Sequence, residues 1–423
     1  MRANAVMLVT GALALGACGS TPDATGPGGT QPLLVPPPAG QGVQFRMISS
    51  LEPGQEIERV QFFVVPPEGL YVNREEVKYS VGSHHVLLYR TPYKSIPTSD
   101  NRGRTVDTSG VVDAPNGGTA DWNIDGVVAG AQTADAPPIV DGLPPGVAFR
   151  LEPGTVLLMN THYLNASPAK LDVEADINMW SIPKAEVQQE AGVLFYYDPI
   201  IRVPAMSTGY AEMACPVTAD INIVNLQTHM HRRGVGGAAF VTPPGAAQAT
   251  KIYTSSDWEQ VNVEKMAPAM AVKAGSWIDY HCDFDSKEPN TVLQGLSTHD
   301  EMCMLIGLYY PRDAKTELCS TDGAYRNLST AGTWMGKGGT NDCLASLSCV
   351  FGAGDQSAVY DCILKACPSA AKAFNDTAKC MQAEMGQCTS KCVGDANPSM
   401  CKDNCLKAQC AVPYAACSAA SCK

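Results

Sequence analysis

Alternation of apolar and polar positions dominates the chain from about residue 43 to about residue 320. Segments 58–65, 77–81, 86–89 and 155–159 are alternating or β-branched runs, and Pro-Gly turns such as Glu52-Pro53-Gly54 separate them. Short connections between such runs favour antiparallel pairing. We therefore predict a mainly β fold of two tandem jelly-roll-like antiparallel β-sandwich domains, with the Gly-, Asp- and Pro-rich segment 95–145 as a surface loop.

The pattern changes after residue 341, where Ala, Lys, Met and Gln content indicates helices and twelve cysteines lie between Cys343 and Cys422. The spacing Cys388-x3-Cys392 followed by Cys401-x3-Cys405 resembles disulfide-linked helical hairpins, because residues four apart share a helix face. This predicts Cys388 paired with Cys405 and Cys392 paired with Cys401. The alternative is a thiolate metal cluster, which the even cysteine count and the lack of histidine in the tail disfavour.

These changes divide the chain into six predicted segments. They are a lipoprotein signal (1–17), an anchor cysteine with a flexible linker (18–42), a first body domain (43–189), a second body domain (190–323), a linker (324–341) and a cysteine-rich helical tail (342–423). The body is too long for one ordinary core, which is why two domains are expected.

The first segment has one basic residue, Arg2, followed by an apolar run over 3–15 that is too short to span a bilayer permanently. Its end, Leu15-Gly16-Ala17-Cys18, resembles a bacterial lipobox, so lipidation of Cys18 is expected. The other 16 of the 17 cysteines form an even set, typical of an exported chain with disulfides. We predict export and lipid anchoring to the bacterial outer membrane, on its periplasmic face or at the cell surface.

The formal net charge of −12 argues against a nucleic-acid partner, because no Lys/Arg cluster offers a phosphate-binding patch. No second apolar run is long enough to cross a membrane, so contact with a membrane is expected only through the lipid anchor. For the tail, the default expectations are an interaction module with a protein partner or a protective appendage.

Histidines recur in short motifs along the body. His229 and His231 follow an alternating run and share a strand face, as two ligands of a transition metal would, although cross-strand or surface histidines are the simpler reading. His84 and His85 are adjacent and can share a metal only if the strand bends or bulges, for which Gly82 gives freedom. His162 follows 77 residues after His85, and Met302 follows 71 residues after His231. His281 and His299 are expected to be core or loop histidines.

Four motifs occur in the order and at spacings similar to those of the copper type II, ascorbate-dependent monooxygenases. They are His84-His85-Val86, Thr161-His162-Tyr163, Thr228-His229-Met230-His231 and Asp300-Glu301-Met302-Cys303. The resemblance covers roughly 43–323. It implies two β-sandwich domains with two copper sites that face each other across an open cleft.

Transferred to this sequence, the family pattern implies that His84, His85 and His162 bind the electron-transferring copper. His229, His231 and Met302 would bind the copper that meets O2, with a thioether favouring Cu(I). Core packing is the simpler reading of any methionine. The resemblance further implies the disulfides Cys282–Cys303 and Cys215–Cys319.

The substrate-binding positions of the peptide-hydroxylating members of the family are occupied here by Gln227, Met304 and Ile306. These residues cannot form an anion clamp, which needs charge and paired donors. A neutral or apolar substrate, small molecule or peptide, is therefore expected.

Together these observations predict a copper-dependent monooxygenase that hydroxylates a C–H bond with O2 and two single electrons from ascorbate or another small reductant. It would bind two coppers per chain. The alternatives are a non-catalytic copper-binding or carrier lipoprotein on the same fold, and a structural surface lipoprotein whose tail carries the function.

Overall fold

The computed structural model describes residues 33–115, 117–132, 138–295, 299–320, 332–334 and 338–422. The predicted signal and the lipidation site Cys18 lie outside the described residues. Within them the chain is mainly β, with antiparallel sheets followed by a disulfide-rich helical region, so the predicted fold class is confirmed. No helix in this part of the chain has the length and apolar character needed to cross a membrane.

The first body domain contributes nine strands: β1 (Gly42–Leu51), β2 (Glu56–Val64), β3 (Leu70–Tyr79), β4 (Ser83–Arg90), β5 (Val112–Asp113), β6 (Gly126–Ala131), β7 (Val147–Leu151), β8 (Val156–Leu164) and β9 (Leu171–Ser181). Strands β5-β2-β8-β4-β6 form one sheet, and β1-β9-β3-β7 form part of another. Alternate side chains of both sheets bury a common core that includes Met47, Val60, Leu88 and Ile177.

A short 3-10 helix (Lys184–Glu186) leads to the second body domain. Its strands are β10 (Gln189–Tyr197), β11 (Arg202–Val203), β12 (Thr208–Pro216), β13 (Ile221–Met230), β14 (Gly234–Thr242), β15 (Thr250–Ser255), β16 (Glu264–Val272), β17 (Trp277–Asp285), β18 (Val292–Leu293), β19 (Cys303–Tyr310) and β20 (Leu318–Ser320), with α1 (Ala314–Glu317) before β20. Strands β10-β19-β13-β16 and β15-β14-β17-β12 enclose a second core.

One sheet runs through both body domains, because β7 pairs with β10 in parallel over Val147–Gln189 to Phe149–Ala191. Side chains alternate along β10 and β19. Leu194 and Tyr196 enter the second core, whereas Phe195, Tyr197 and Ile306 belong to the first. The second sandwich therefore covers part of the first core with the outer face of its own sheet.

The prediction of a surface loop over 95–145 is wrong. Strand β6 lies inside this segment with all six residues buried, and Trp122, Ile139 and Val140 are also buried. Trp122 packs edge-on against Phe62 of β2, with ring centroids 4.9 Å apart. The segment supplies a buried edge strand and a cover for the first sandwich, because its scattered apolar residues are used for packing despite the polar composition around them.

The tail consists of α2 (Cys343–Gly352), α3 (Gln356–Leu364), α4 (Pro368–Lys391), α5 (Pro398–Gln409) and α6 (Ala411–Ala419). Its twelve cysteines form six disulfides, among them the expected pairs Cys388–Cys405 and Cys392–Cys401. The alternative of a thiolate cluster is therefore wrong, since disulfide sulfur cannot supply thiolate ligands.

The predicted linker is not simply a spacer. Its residues Thr333–Trp334 form β21, which pairs with β12 of the second body domain. Trp334 is buried against Phe374 of α4, with ring centroids 4.9 Å apart. Arg202 of β11 also contacts the tail, through Ser357 at 3.1 Å and Asp361 at 3.4 Å. The tail thus packs on the body at β11 and β21.

Candidate metal and substrate site

Four of the predicted metal ligands line one cavity of about 320 Å³ between the two sandwiches: His85, His229, His231 and Met302. Their strands meet there because β4 lies beside β8 in the first domain and β13 lies beside β19 in the second. His162 packs behind His85, with ring centroids 5.5 Å apart. The side chain of His84 lies outside the described residues.

A β-bulge in β4 includes His84 and immediately precedes His85. The register with β8 shifts between Ser83, opposite Tyr163, and His85, opposite His162. Gly82 just before the bulge has φ +94°, a conformation that L side chains rarely adopt. The bulge frees the backbone at His84 from strict alternation, which is the condition under which adjacent histidines can share an ion.

Three of the histidines, His162, His229 and His231, have a hydrogen-bond partner at one ring nitrogen. Nδ1 of His231 donates to the backbone carbonyl of Asp300 at 3.1 Å, and Nδ1 of His229 meets the amide oxygen of Gln132 at 2.5 Å. In both residues the lone pair for a metal is then on Nε2. His162 is held in the opposite sense, because its Nε2 meets the carboxylate of Glu56 at 3.0 Å.

A buried carboxylate fixes the end of the H-x-H strand against the methionine-bearing loop. Glu301 accepts from the backbone N–H groups of His231 at 3.0 Å and Arg233 at 2.9 Å, and from the Arg233 guanidinium at 3.3 Å. Burial raises the pKa of the Glu301 carboxyl, and these donors act in the opposite direction. The clamp sets the position of Met302, the next residue in the chain.

Disulfides reinforce the same strands. Cys282–Cys303 joins β17 to the residue after Met302, and Cys215–Cys319 joins β12 to β20. These are the pairs that the family resemblance implies. His281 on β17 lies away from the cavity, stacked on Phe240, and the His299 side chain is largely exposed.

Among the described residues, the histidines of the two body domains are in contact and are not separated by the open cleft that the resemblance implies. The rings of His85 and His229, from different body domains, have centroids 5.9 Å apart, and those of His229 and His231 are 5.3 Å apart. Two hydrogen bonds near this contact also join the domains: Gln132 donates to the Thr228 carbonyl at 3.0 Å, and Asn225 donates to the Ile139 carbonyl at 3.2 Å. The histidines therefore form one continuous row.

The cavity beyond the histidines is largely aromatic and aliphatic. Its apolar lining includes Leu87, Tyr89, Trp122, Ile124, Phe195, Tyr197, Met304, Ile306 and Leu318. Of the three expected substrate positions, Met304 and Ile306 line it, whereas Gln227 is buried and accepts from Gln132 at 2.7 Å. Glu58 and Asp125 are the acidic lining residues, and no lysine or arginine occurs among the described ones.

Sequence reasoning missed Gln132, Glu58 and Trp122 at this site. Glu58 is held by the Gly118 N–H and by Asn160 Nδ2 at 3.0 Å, and burial raises the pKa of its carboxyl while His162 opposes the rise. In the sequence, Glu58 alternates with apolar neighbours, and this pattern indicated a strand but no role at a site. Gln132 and Trp122 lie in the segment taken for a loop, where no periodic signal identifies them.

The donor set fits a soft, one-electron transition metal. Two imidazoles that present Nε2 beside a thioether suit copper better than a hard cation, which prefers oxygen ligands. No group of three or more His, Cys, Asp or Glu side chains arranged for a metal occurs among the described residues. That finding is compatible with a site of two histidines and one methionine, and with a first site whose third histidine side chain is not described.

Fold and site together define a protein of two joined β-sandwiches with a row of histidines and a methionine at one internal cavity. Residues 190–331 match the family model of the copper type II ascorbate-dependent monooxygenase C-terminal domain. The family resemblance is thereby confirmed for the second body domain, which carries His229, His231 and Met302. The matched residues are about a third of the chain and exclude His84, His85 and His162.

Comparisons with curated proteins and with solved structures add little to this family match. The comparison with curated proteins finds no match. Solved structures of infectious bursal disease virus, Gt and Gx strains, align at 10% and 9% identity with TM-scores of 0.14 and 0.13, over 67% of this chain and 77% and 80% of theirs. At these TM-scores the alignments carry no argument about fold or function.

Proposed function

We propose that this protein is a copper-dependent monooxygenase that hydroxylates a C–H bond of a small organic substrate. The reaction takes the C–H compound, O2, two protons and two electrons from ascorbate or another small reductant to the alcohol and water. The observation that supports it best is that His229, His231 and Met302, which lie within the family-matched residues, line the same largely apolar cavity.

Bound copper would supply one-electron redox chemistry and O2 activation at this site. His229 and His231 would hold it through Nε2, with Met302 as a soft third ligand, and His84, His85 and His162 would hold a second ion. Gln132 and the Asp300 carbonyl orient the two imidazole rings. Met304, Ile306 and Trp122 exclude water and keep a substrate C–H group beside the histidines.

The pocket supports a small, neutral or apolar substrate. A volume of about 320 Å³ is at the lower end of ligand pockets, so a long peptide does not fit inside. The pocket is lined by carboxylates and by no described lysine or arginine, which disfavours an anionic substrate. Amide side chains such as Asn101 and Asn123 would orient a hydroxyl or similar polar group.

We also propose export and lipid anchoring at the outer membrane. The lipobox-like Leu15-Gly16-Ala17-Cys18 supports the anchor. Eight disulfides, which use every cysteine after Cys18, support an oxidising compartment.

The test is copper content measured alongside turnover. Copper-loaded wild type should hold two coppers and consume O2 with ascorbate and a small apolar substrate, forming a product with one added oxygen atom. His162→Ala should remove one copper and His229→Ala the other, whereas His281→Ala, a histidine outside the cavity, should remove neither.

Preference for zinc, or loss of the same single copper in both variants, would contradict the two-site proposal. Two coppers without product across a broad substrate panel would instead favour the copper-carrier alternative.

A further inference from the structure

Gln132 lies directly after β6 and is 6% exposed, although it belongs to the first body domain and its partners belong to the second. Its amide nitrogen donates to Gln227 Oε1 at 2.7 Å and to the Thr228 carbonyl at 3.0 Å, and its oxygen lies 2.5 Å from His229 Nδ1. All these partners are on β13. One side chain thus joins the two sandwiches at the histidine row.

The orientation of this amide follows from chemistry. A backbone carbonyl can only accept, so the group that faces Thr228 O must be the amide NH2. The amide oxygen then faces His229, and it can only accept as well. His229 must therefore carry a hydrogen on Nδ1, which leaves its lone pair on Nε2.

The backbone holds Gln132 in place for this contact. The β4–β6 register pairs Val86 with Ala131, and one step further it places Gln132 beside His85. Gly130, at φ +142°, lies so close to β4 that an added Cβ would meet the Val86 carbonyl at 2.4 Å. Because β6 packs this closely on β4, the Gln132 amide is held at a fixed position between His85 of the first domain and His229 of the second.

We propose that Gln132 is a positioning residue that fixes His229 as its Nδ1–H tautomer and aims Nε2 into the cavity. The first body domain thereby completes the site of the second. Metal binding at Nε2 rests on the function proposed above, whereas the assignment of the His229 tautomer does not. A ligating histidine is commonly set by a hydrogen bond at its other nitrogen, and loss of such a partner weakens metal binding by about 10- to 100-fold.

The first test needs no metal. In the metal-free full chain with 15N-labelled histidine, two-dimensional NMR correlation of ring nitrogens and carbon-bound protons should show His229 as Nδ1–H. Gln132→Leu, which removes the acceptor at similar size, should move His229 toward the Nε2–H form. Gln132→Glu, which keeps an acceptor at that distance, should restore Nδ1–H.

The second measurement is Cu(I) affinity by chelator competition. It should fall about tenfold or more at one site in Gln132→Leu and recover in Gln132→Glu. Asn225→Leu is the matched control, because Asn225 is a buried β13 amide that also bonds to the first domain, at the Ile139 and Asp141 carbonyls, and its hydrogen bonds to described residues involve no histidine.

An unchanged His229 tautomer in Gln132→Leu would overturn the inference, as would an equal change in Asn225→Leu, which would indicate general loosening. A wild type that binds no copper but loses the Nδ1–H form on Gln132→Leu would overturn the proposed function and leave the role of Gln132 supported.

Discussion

Met302 is the residue on which the proposed chemistry depends most directly. It lies between Glu301 and Cys303, the first residue of β19, so its backbone is held by the Glu301 hydrogen bonds on one side and by the disulfide Cys282–Cys303 on the other. A thioether favours Cu(I), whereas an imidazole serves both copper oxidation states. The identity of this side chain should therefore affect turnover more than metal retention.

We expect Met302→His to keep two coppers per chain and to lower ascorbate-driven hydroxylation about tenfold or more. Metal analysis and product formation would be measured on the same samples. Met213→Leu, a buried methionine in the second core, controls for packing damage. Equal turnover in Met302→His and wild type would remove Met302 from the oxygen site.

A second residue-scale prediction concerns Asp198, which is fully buried beside Cys303. Its backbone N–H donates to the Cys303 carbonyl, and its side chain accepts from the Ile200 N–H at 2.9 Å. Burial raises the pKa of this carboxyl to about 7. An unfolded aspartate titrates near pH 4, so between these values the unfolded state binds fewer protons and stability falls as pH rises.

As the pH rises through that window, ionisation of Asp198 should lower the free energy of unfolding of the wild type by roughly 4 kcal/mol, at about 1.4 kcal/mol per pKa unit. Asp198→Asn, which resembles the neutral acid, should lose this part of the pH dependence. Urea unfolding at pH 4.5, 6 and 7.5 measures it. Parallel pH profiles for variant and wild type would contradict the assignment.

Among individual residues, sequence reasoning predicted those with distinctive chemistry and missed those whose role depends on their position in the fold. His229, His231 and Met302 were assigned to one site from their motifs, and they line one cavity; His85, assigned to a second site across an open cleft, lines the same cavity. Gln132 could not be found, because an amide in a Gly- and Ala-rich run becomes informative only when β6 is placed beside β4.

Among the elements, the loop end at Glu301, just before β19, is held by a buried ion pair. Arg233 is 3% exposed and lies between Glu301, which is fully buried, and the partly exposed Glu288. Removing one partner from a buried ion pair costs far more than a surface pair is worth, because the remaining charge stays desolvated.

Glu301→Ala should therefore lower the free energy of unfolding by about 3 kcal/mol, since it removes the buried one of the two carboxylates paired with Arg233 and the acceptor of two backbone N–H groups. Urea unfolding would measure this loss. Glu288→Ala is the comparison, with a smaller effect expected because Glu288 is about one-third exposed. Similar losses in both variants would show that the Glu301 clamp does not organise this loop.

Strand prediction was accurate where alternation was regular, as in β2, β4, β8 and β13. It failed for β6, whose six residues are all buried and therefore show no alternation of polar and apolar positions. Strand β21 was hidden in the same way, because two residues of a Gly- and Thr-rich linker carry no periodicity.

For the whole molecule, the parallel β7–β10 pair makes the two body domains depend on each other. Phe195, Tyr197, Ile306 and Leu308 are buried in the first core although they belong to the second domain. Sequence reasoning predicted two tandem sandwiches but not this shared sheet, because it depends on a pairing between strands about 40 residues apart that no local pattern specifies.

We expect residues 190–331 expressed alone to bind a hydrophobic dye and to aggregate, because the outer face of β10 and β19 would be uncovered. The full chain is the control, and it should remain monodisperse with no dye binding. A folded, monomeric fragment with a cooperative thermal transition would show that the shared sheet is dispensable.

The tail disulfides have a connectivity with consequences for how the chain matures. Four bridges are nested, with Cys392–Cys401 inside Cys388–Cys405, then Cys380–Cys410, then Cys367–Cys422, at separations of 9, 17, 30 and 55 residues. Closing the inner bridge brings the next two cysteines together, so each outer loop is effectively short when it forms. Oxidation can thus proceed outward from the turn between α4 and α5, one bridge after another. The outermost of these four bridges needs both Cys367 and Cys422, so the nested set is complete only after the whole of segment 367–422 has been synthesised.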